Sequence, residues 1–132
     1  MPLATAEFQN GEITMQYMLM CCFDESAWND LPDAQKDKIM REYGDWVQNL
    51  VDTGHFRGGA KLHPAPSAKT VRIKNGKTVF TDRPFAETKE QLGGFHLIDC
   101  DDLNEATSIA ARIPTLTAGG TVEVRCVEEL EH

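Results

Sequence analysis

Between Thr81 and Asp99 the chain reads TDRPFAETKEQLGGFHLID, and Asp82, Arg83, Glu87, Lys89 and Glu90 fall within nine positions of one another. Residues of these types can do acid–base work. A carboxylate can take a proton, and Lys89 can hold an anionic group. Either role needs a pKa shifted by burial or by a close charge. The same side chains can also fix a loop, with Asp82 accepting backbone N–H bonds at the turn, Phe85 inserted into the core and Lys89 paired with a carboxylate. His96 follows in an apolar run, where a histidine among charged neighbours titrates near neutral pH. The candidate catalytic residues are therefore Asp82, Glu87, Lys89 and His96. Arg57 and Arg125 are candidate anion clamps, and Arg83 adds a long cation beside Asp82.

These residues need elements to position them. MQYMLMCCF, residues 15–23, is apolar on both alternating faces and reads as a central strand. Ile39, Met40, Tyr43, Trp46, Val47, Leu50 and Val51 form one helical stripe, with Pro32 near its start and Gly54 at its end. HFRGGAKL reads as a second strand, with Phe56, Ala60 and Leu62 on one face and Arg57, Gly59 and Lys61 on the other. TVRIKNGKTVFT holds two short strands around Asn75-Gly76, a hairpin signal because both residues tolerate positive φ. GGFHLIDC is a strand with Phe95 and Leu97 opposed to His96 and Ile98. DDLNEATSIAARIP is a helix capped by Asp102 with Glu105, buried through Leu103, Ala106, Ala110 and Ile113, and ended by Pro114. In GGTVEVRCV, Val122, Val124 and Cys126 face the helices, while Glu123 and Arg125 face away.

Without the hairpin the order is β-α-β-β-α-β, the ferredoxin-like split motif, an α+β class. Two helices cover one sheet face, and the other face keeps an apolar row from the first strand. An apolar open face is an association site, so a homodimer with sheets face to face is expected. His96 is expected to project toward that open face, together with Arg57, Lys61, Glu123 and Arg125.

Composition narrows the function classes. The 132 residues carry a net charge of −8 and no Lys/Arg run, which disfavours nucleic-acid partners and anionic membrane surfaces. No apolar run approaches the roughly 20 residues of a membrane span. The stretch 1–14 reads as an N-terminal arm without the pattern of a secretory signal, 15–129 as one domain, and 130–132 as a tag remnant. Cys21, Cys22, Cys100 and Cys126 stand in apolar stretches outside any C-x-x-C pair, which suggests core thiols and a cytoplasmic location. No metal or cofactor is expected. No two histidines lie at i, i+3 or i, i+4, and the Gly-Gly pairs at 58–59, 93–94 and 119–120 lack a nucleotide-loop context. They read instead as bulges or close backbone approaches.

YMLMCC, FRGGAKLHP, the run TDRPFAETKEQLGGFHLIDCDDLNEA, ARIP and GGTVEVR together resemble the YCII-related proteins, in the branch named for a D-G-P-F motif. The resemblance runs from about Met15 to Val127. It implies a dimeric α+β barrel. Better understood members use a His/Asp pair as acid–base catalyst, for example in dehydrochlorination. The helical His of that pair would fall near Tyr43 and its Asp near Ile113, and neither residue can carry out the same proton transfer. Genes of this branch also lie beside sigma factors of the extracytoplasmic-function type. Two functions are thus expected as alternatives. One is binding of a small, anionic molecule in a cleft at the open sheet face, with isomerase- or lyase-type chemistry. The other is a non-catalytic accessory module with a protein partner.

Overall fold

The computed structural model describes residues 7–9, 12–84 and 89–128. In chain order these form β1 (Glu7–Gln9), β2 (Glu12–Phe23), α1 (Glu25–Asn29), α2 (Asp33–Asp52), β3 (Phe56–Lys61), β4 (Thr70–Lys74), β5 (Lys77–Thr81), β6 (Gln91–Cys100), α3 (Leu103–Ala110) and β7 (Thr121–Cys126). Short 3₁₀ turns lie at Ala65–Ser67 and Pro114–Ala118.

The main sheet runs β7-β2-β6-β3, with every neighbouring pair antiparallel. This is the strand order of a ferredoxin-like α+β fold. β2 is central, as its two apolar rows require. It begins earlier than the apolar run does, because Glu12–Thr14 pair with β1.

Tyr17, Leu19 and Cys21 stand beside Ile98 and Cys100 of β6 on the face that α2 and α3 cover. Leu19, Leu50, Ile98 and Ile113 are fully buried there. Each contributes about 1.5–3 kcal/mol relative to an exposed side chain. Trp46 ties the two helices together: its Nε1 donates to the carbonyl of Ile109 at 3.1 Å. Asp102 caps α3 by accepting from the Glu105 N–H at 2.8 Å, and Gly54 ends α2 at φ 78°.

The covered stripes are narrower than helical periodicity suggests. Met40 and Val51 on α2 and Leu103 on α3 are exposed, while Ile109, outside the expected stripe, is buried. Trp28 lies in the short helix α1, which Asp24 caps. Cys126 follows the helix-side row of β7 but is exposed at the strand's end.

Strand alternation holds in β6, yet the side it assigns to His96 is reversed. His96 shares its row with Ile98 and pairs with Leu19, so it points under the helices and not to the open face. β3 carries an irregularity between Phe56 and Gly58 that shifts the register. Phe56, Gly59 and Lys61 consequently share the helix side, and Ala60 pairs with Phe95 on the other. β4 and β5 form the expected hairpin, with Asn75 at φ 52° and Gly76 at φ 76°. This hairpin packs only lightly on the rest of the fold.

Candidate functional site

Three small residues on adjacent strands leave a hollow under α2. Cys21 of β2 faces Gly94 of β6, and Gly59 of β3 faces His96. A Cβ at Gly94 would lie 2.8 Å from the Ala60 carbonyl oxygen, and one at Gly59 would lie 2.6 Å from that of Phe95. Backbone thus sits where side chains would otherwise fill the layer. The result is a cavity of about 310 Å³, at the small end of the range of small-molecule sites, roughly 300–1,000 Å³. Phe23, Trp28, Met40, Val47 and Phe56 give it apolar walls, and Lys61 and Asp24 bring charge to it. A second depression of about 420 Å³ adjoins it, sharing Phe23, Trp28, Lys61 and Gly93, and extends to Leu62 and Leu92.

Two polar side chains of the cavity, His96 and Cys21, converge on Tyr43. Met40, Tyr43 and Val47 line it from one stripe of α2. The Tyr43 hydroxyl is hydrogen-bonded to His96 Nε2 and lies 3.9 Å from Cys21 Sγ. Trp46 backs the pair, with its ring edge-on to His96 at 5.0 Å between centroids and 5.7 Å from the Tyr43 ring. His96 Nδ1 is buried without a hydrogen-bond partner. A stranded N–H is costlier than a stranded lone pair, so the proton is assigned to Nε2, which then donates to the Tyr43 oxygen. The Tyr43 O–H remains available to Cys21 or to a ligand.

Burial sets the charge state of this floor. It lowers the His96 pKa, and it raises those of Tyr43 and Cys21. At neutral pH all three are uncharged. A neutral phenol aimed into an apolar cavity is a hydrogen-bond donor suited to an oxygen that carries or gains negative charge. Lys61 lines the cavity and has no ion-pair partner among the described residues. No group of three or more His, Cys, Asp or Glu among the described residues is arranged to hold a metal ion.

Of the candidate catalytic and anion-binding residues that lie among the described residues, His96 alone lines this cavity. Asp82 is 85% exposed and lies 3.5 Å from Lys69. Arg83 accepts at its carbonyl from Thr70 Oγ1 at 2.7 Å, which ties the hairpin base to the loop. Lys89, 86% exposed, reaches Asp24 at 4.0 Å. Glu87 and Phe85 lie outside the described residues. Arg57 Nε meets the buried Asp99 carboxylate at 2.6 Å. Arg125 is exposed on β7, opposite Met18. His55 bonds Thr53 at 2.7 Å and Glu105 at 3.1 Å, joining the end of α2 to α3.

Tyr43, Cys21 and the Gly59/Gly94 pair were not among the sequence candidates. Their signal was nonetheless present, as small residues on neighbouring strands facing a tyrosine on the buried helical stripe.

The YCII-related domain family matches residues 15–131. A protein of Rhizobium meliloti (strain 1021), described as uncharacterized, is 38% identical over 112 residues, covering 84% of this chain and 90% of the relative. Among the described residues no helix is long and apolar enough to cross a membrane.

Proposed function

The chain belongs to the YCII-related family, and from that premise we propose that it binds a small molecule in the cavity beneath α2 and acts on it by acid–base chemistry of isomerase or lyase type. The observation that carries this reading is the Tyr43–His96 pair at the floor of a mainly apolar cavity. The ligand has an apolar body, an oxygen function that accepts from the Tyr43 hydroxyl, and an anionic group toward Lys61. His96 holds the phenol in place, and the excluded water strengthens the hydrogen bond to the ligand. The position where the family resemblance implies a helical histidine is thus occupied by a tyrosine, with an imidazole supplied from β6.

A thermal-shift screen of small unsaturated and aromatic carboxylates tests the reading. A binder raises the melting temperature of the wild type. Tyr43→Phe, which keeps the ring packing, loses at least half of that shift, while Lys89→Ala keeps it. A binder whose shift is untouched by Tyr43→Phe refutes the assignment.

A further inference from the structure

The cavity beneath α2 carries one charge of each sign in its lining. Lys61 at the end of β3 is exposed, and Asp24 just past the end of β2 is partly buried. β6 lies between these two strands and lines the cavity at that level through Gly93 and Gly94, which put no side chain between the two charges. Lys61 pairs with Gly94, and Gly94 with Cys21. Lys61 therefore stands two strand spacings, about 9–10 Å, across the sheet from β2. No ion pair joins it to Asp24. Asp24 itself is divided between two tasks. Its Oδ1 accepts from the N–H groups of Ser26 at 3.0 Å and Ala27 at 3.3 Å, and from the Ser26 hydroxyl at 2.9 Å. These bonds, the Ser26 hydroxyl first, hold its pKa below the usual carboxylate value, so the group is charged at neutral pH. Oδ2 has no part in the cap and meets only the ammonium of Lys89, 86% exposed, at 4.0 Å. An exposed contact of that length contributes little. One oxygen thus fixes the carboxylate, and the other is left for a ligand.

Opposite charges held apart across one opening select by what they repel as well as by what they attract. A simple anion drawn to Lys61 also meets the Asp24 carboxylate, and a simple cation drawn to Asp24 also meets Lys61. A ligand that carries both charges close together satisfies both groups. We infer that the cavity takes a zwitterion, an α-amino acid whose side chain is aromatic and ends in a hydroxyl. Its ammonium meets Asp24 Oδ2, and its carboxylate meets Lys61. Its ring lies among Phe23, Trp28 and Phe56, walls suited to aromatic packing, and its hydroxyl oxygen accepts from Tyr43. The inference rests on the binding site proposed above and names the class of ligand that site takes.

Isothermal titration calorimetry on the full chain, at neutral pH and low salt, tests this with three probes. They are L-tyrosine, its deaminated analogue 3-(4-hydroxyphenyl)propionate and its decarboxylated analogue tyramine. L-Tyrosine binds at least about tenfold tighter than either analogue. Asp24→Asn removes the charge and keeps the helix cap, since asparagine caps as well as aspartate. It weakens L-tyrosine at least about tenfold and leaves 3-(4-hydroxyphenyl)propionate no weaker. Lys61→Met keeps the apolar stem and brings L-tyrosine down to the level of tyramine. Circular dichroism verifies the fold of both variants. An analogue that binds as tightly as L-tyrosine overturns the inference, and so does an L-tyrosine affinity indifferent to Asp24→Asn. Failure of all three probes to bind the wild type overturns it as well. The site itself is judged separately, by the carboxylate screen with Tyr43→Phe, so a failed zwitterion and a failed site give different results.

Discussion

The stretch 82–90 and the floor beneath α2 both concentrate polar groups, but they differ in what surrounds those groups. Asp82 and Lys89 stand in water and face single, loosely placed partners at 3.5 and 4.0 Å. Exposed pairs of this kind are screened and contribute little. Tyr43 and His96 come from elements 53 positions apart and meet among Trp46, Cys21 and glycine backbone. Their ionisation is set by burial, and their orientation by packing. Charge density in a loop is visible along the chain. A site depends on convergence, which comes from register and layer packing.

The sharpest way to break this contrast is to remove what backs the floor. Trp46→Ala deletes a buried ring and its bond to Ile109, and should cost about 3–5 kcal/mol in chemical denaturation. Gly94→Ala is smaller in volume but forces a Cβ against the Ala60 carbonyl. It should cost about 1–3 kcal/mol as strain in the strands. A loss under half a kcal/mol would mean that the glycine floor is not tightly held.

The pH dependence is a gentler probe. Burial holds the His96 pKa below its unfolded value. Below about pH 6.5 the unfolded chain therefore binds a proton that the folded chain refuses. This contribution to stability is complete above that pH and is lost as pH falls. His96→Asn should flatten the acid side of the stability profile, and an unchanged profile would contradict the assignment. The smallest effects belong to the loop. Asp82→Ala and Lys89→Ala should leave the denaturation midpoint unmoved within error, and a clear loss in either would restore the loop as a structural element.

Much of the fold was legible because its signals are local. The two-face apolar run made β2 central, Asn75-Gly76 set the hairpin, and the caps at Asp102 and Gly54 bounded helices. The site was less legible for three physical reasons. Alternation places His96 with Ile98, but which face the helices cover is a tertiary fact. The irregularity at Phe56–Gly58 reverses the parity of β3, which places Lys61 on the helix side and leaves Arg57 to Asp99. Tyr43 looked like one more apolar position of a helix, and its hydroxyl acquires meaning only from the imidazole that crosses to it. The Gly-Gly pairs read as bulges or close backbone approaches, and Gly59 and Gly94 are of the second kind, but the hollow they leave beside Cys21 depends on three strands coming together.

That glycine floor has one more consequence. Its limits are backbone oxygens, which cannot be pared back or repositioned by exchanging a neighbouring side chain. The opposite wall is made of Met40, Val47, Thr115 and Ala118, whose side chains can be exchanged without moving the sheet. The cavity thus has a rigid side and an adjustable one, and its shape can be retuned from the helix and turn while the strands stay as they are.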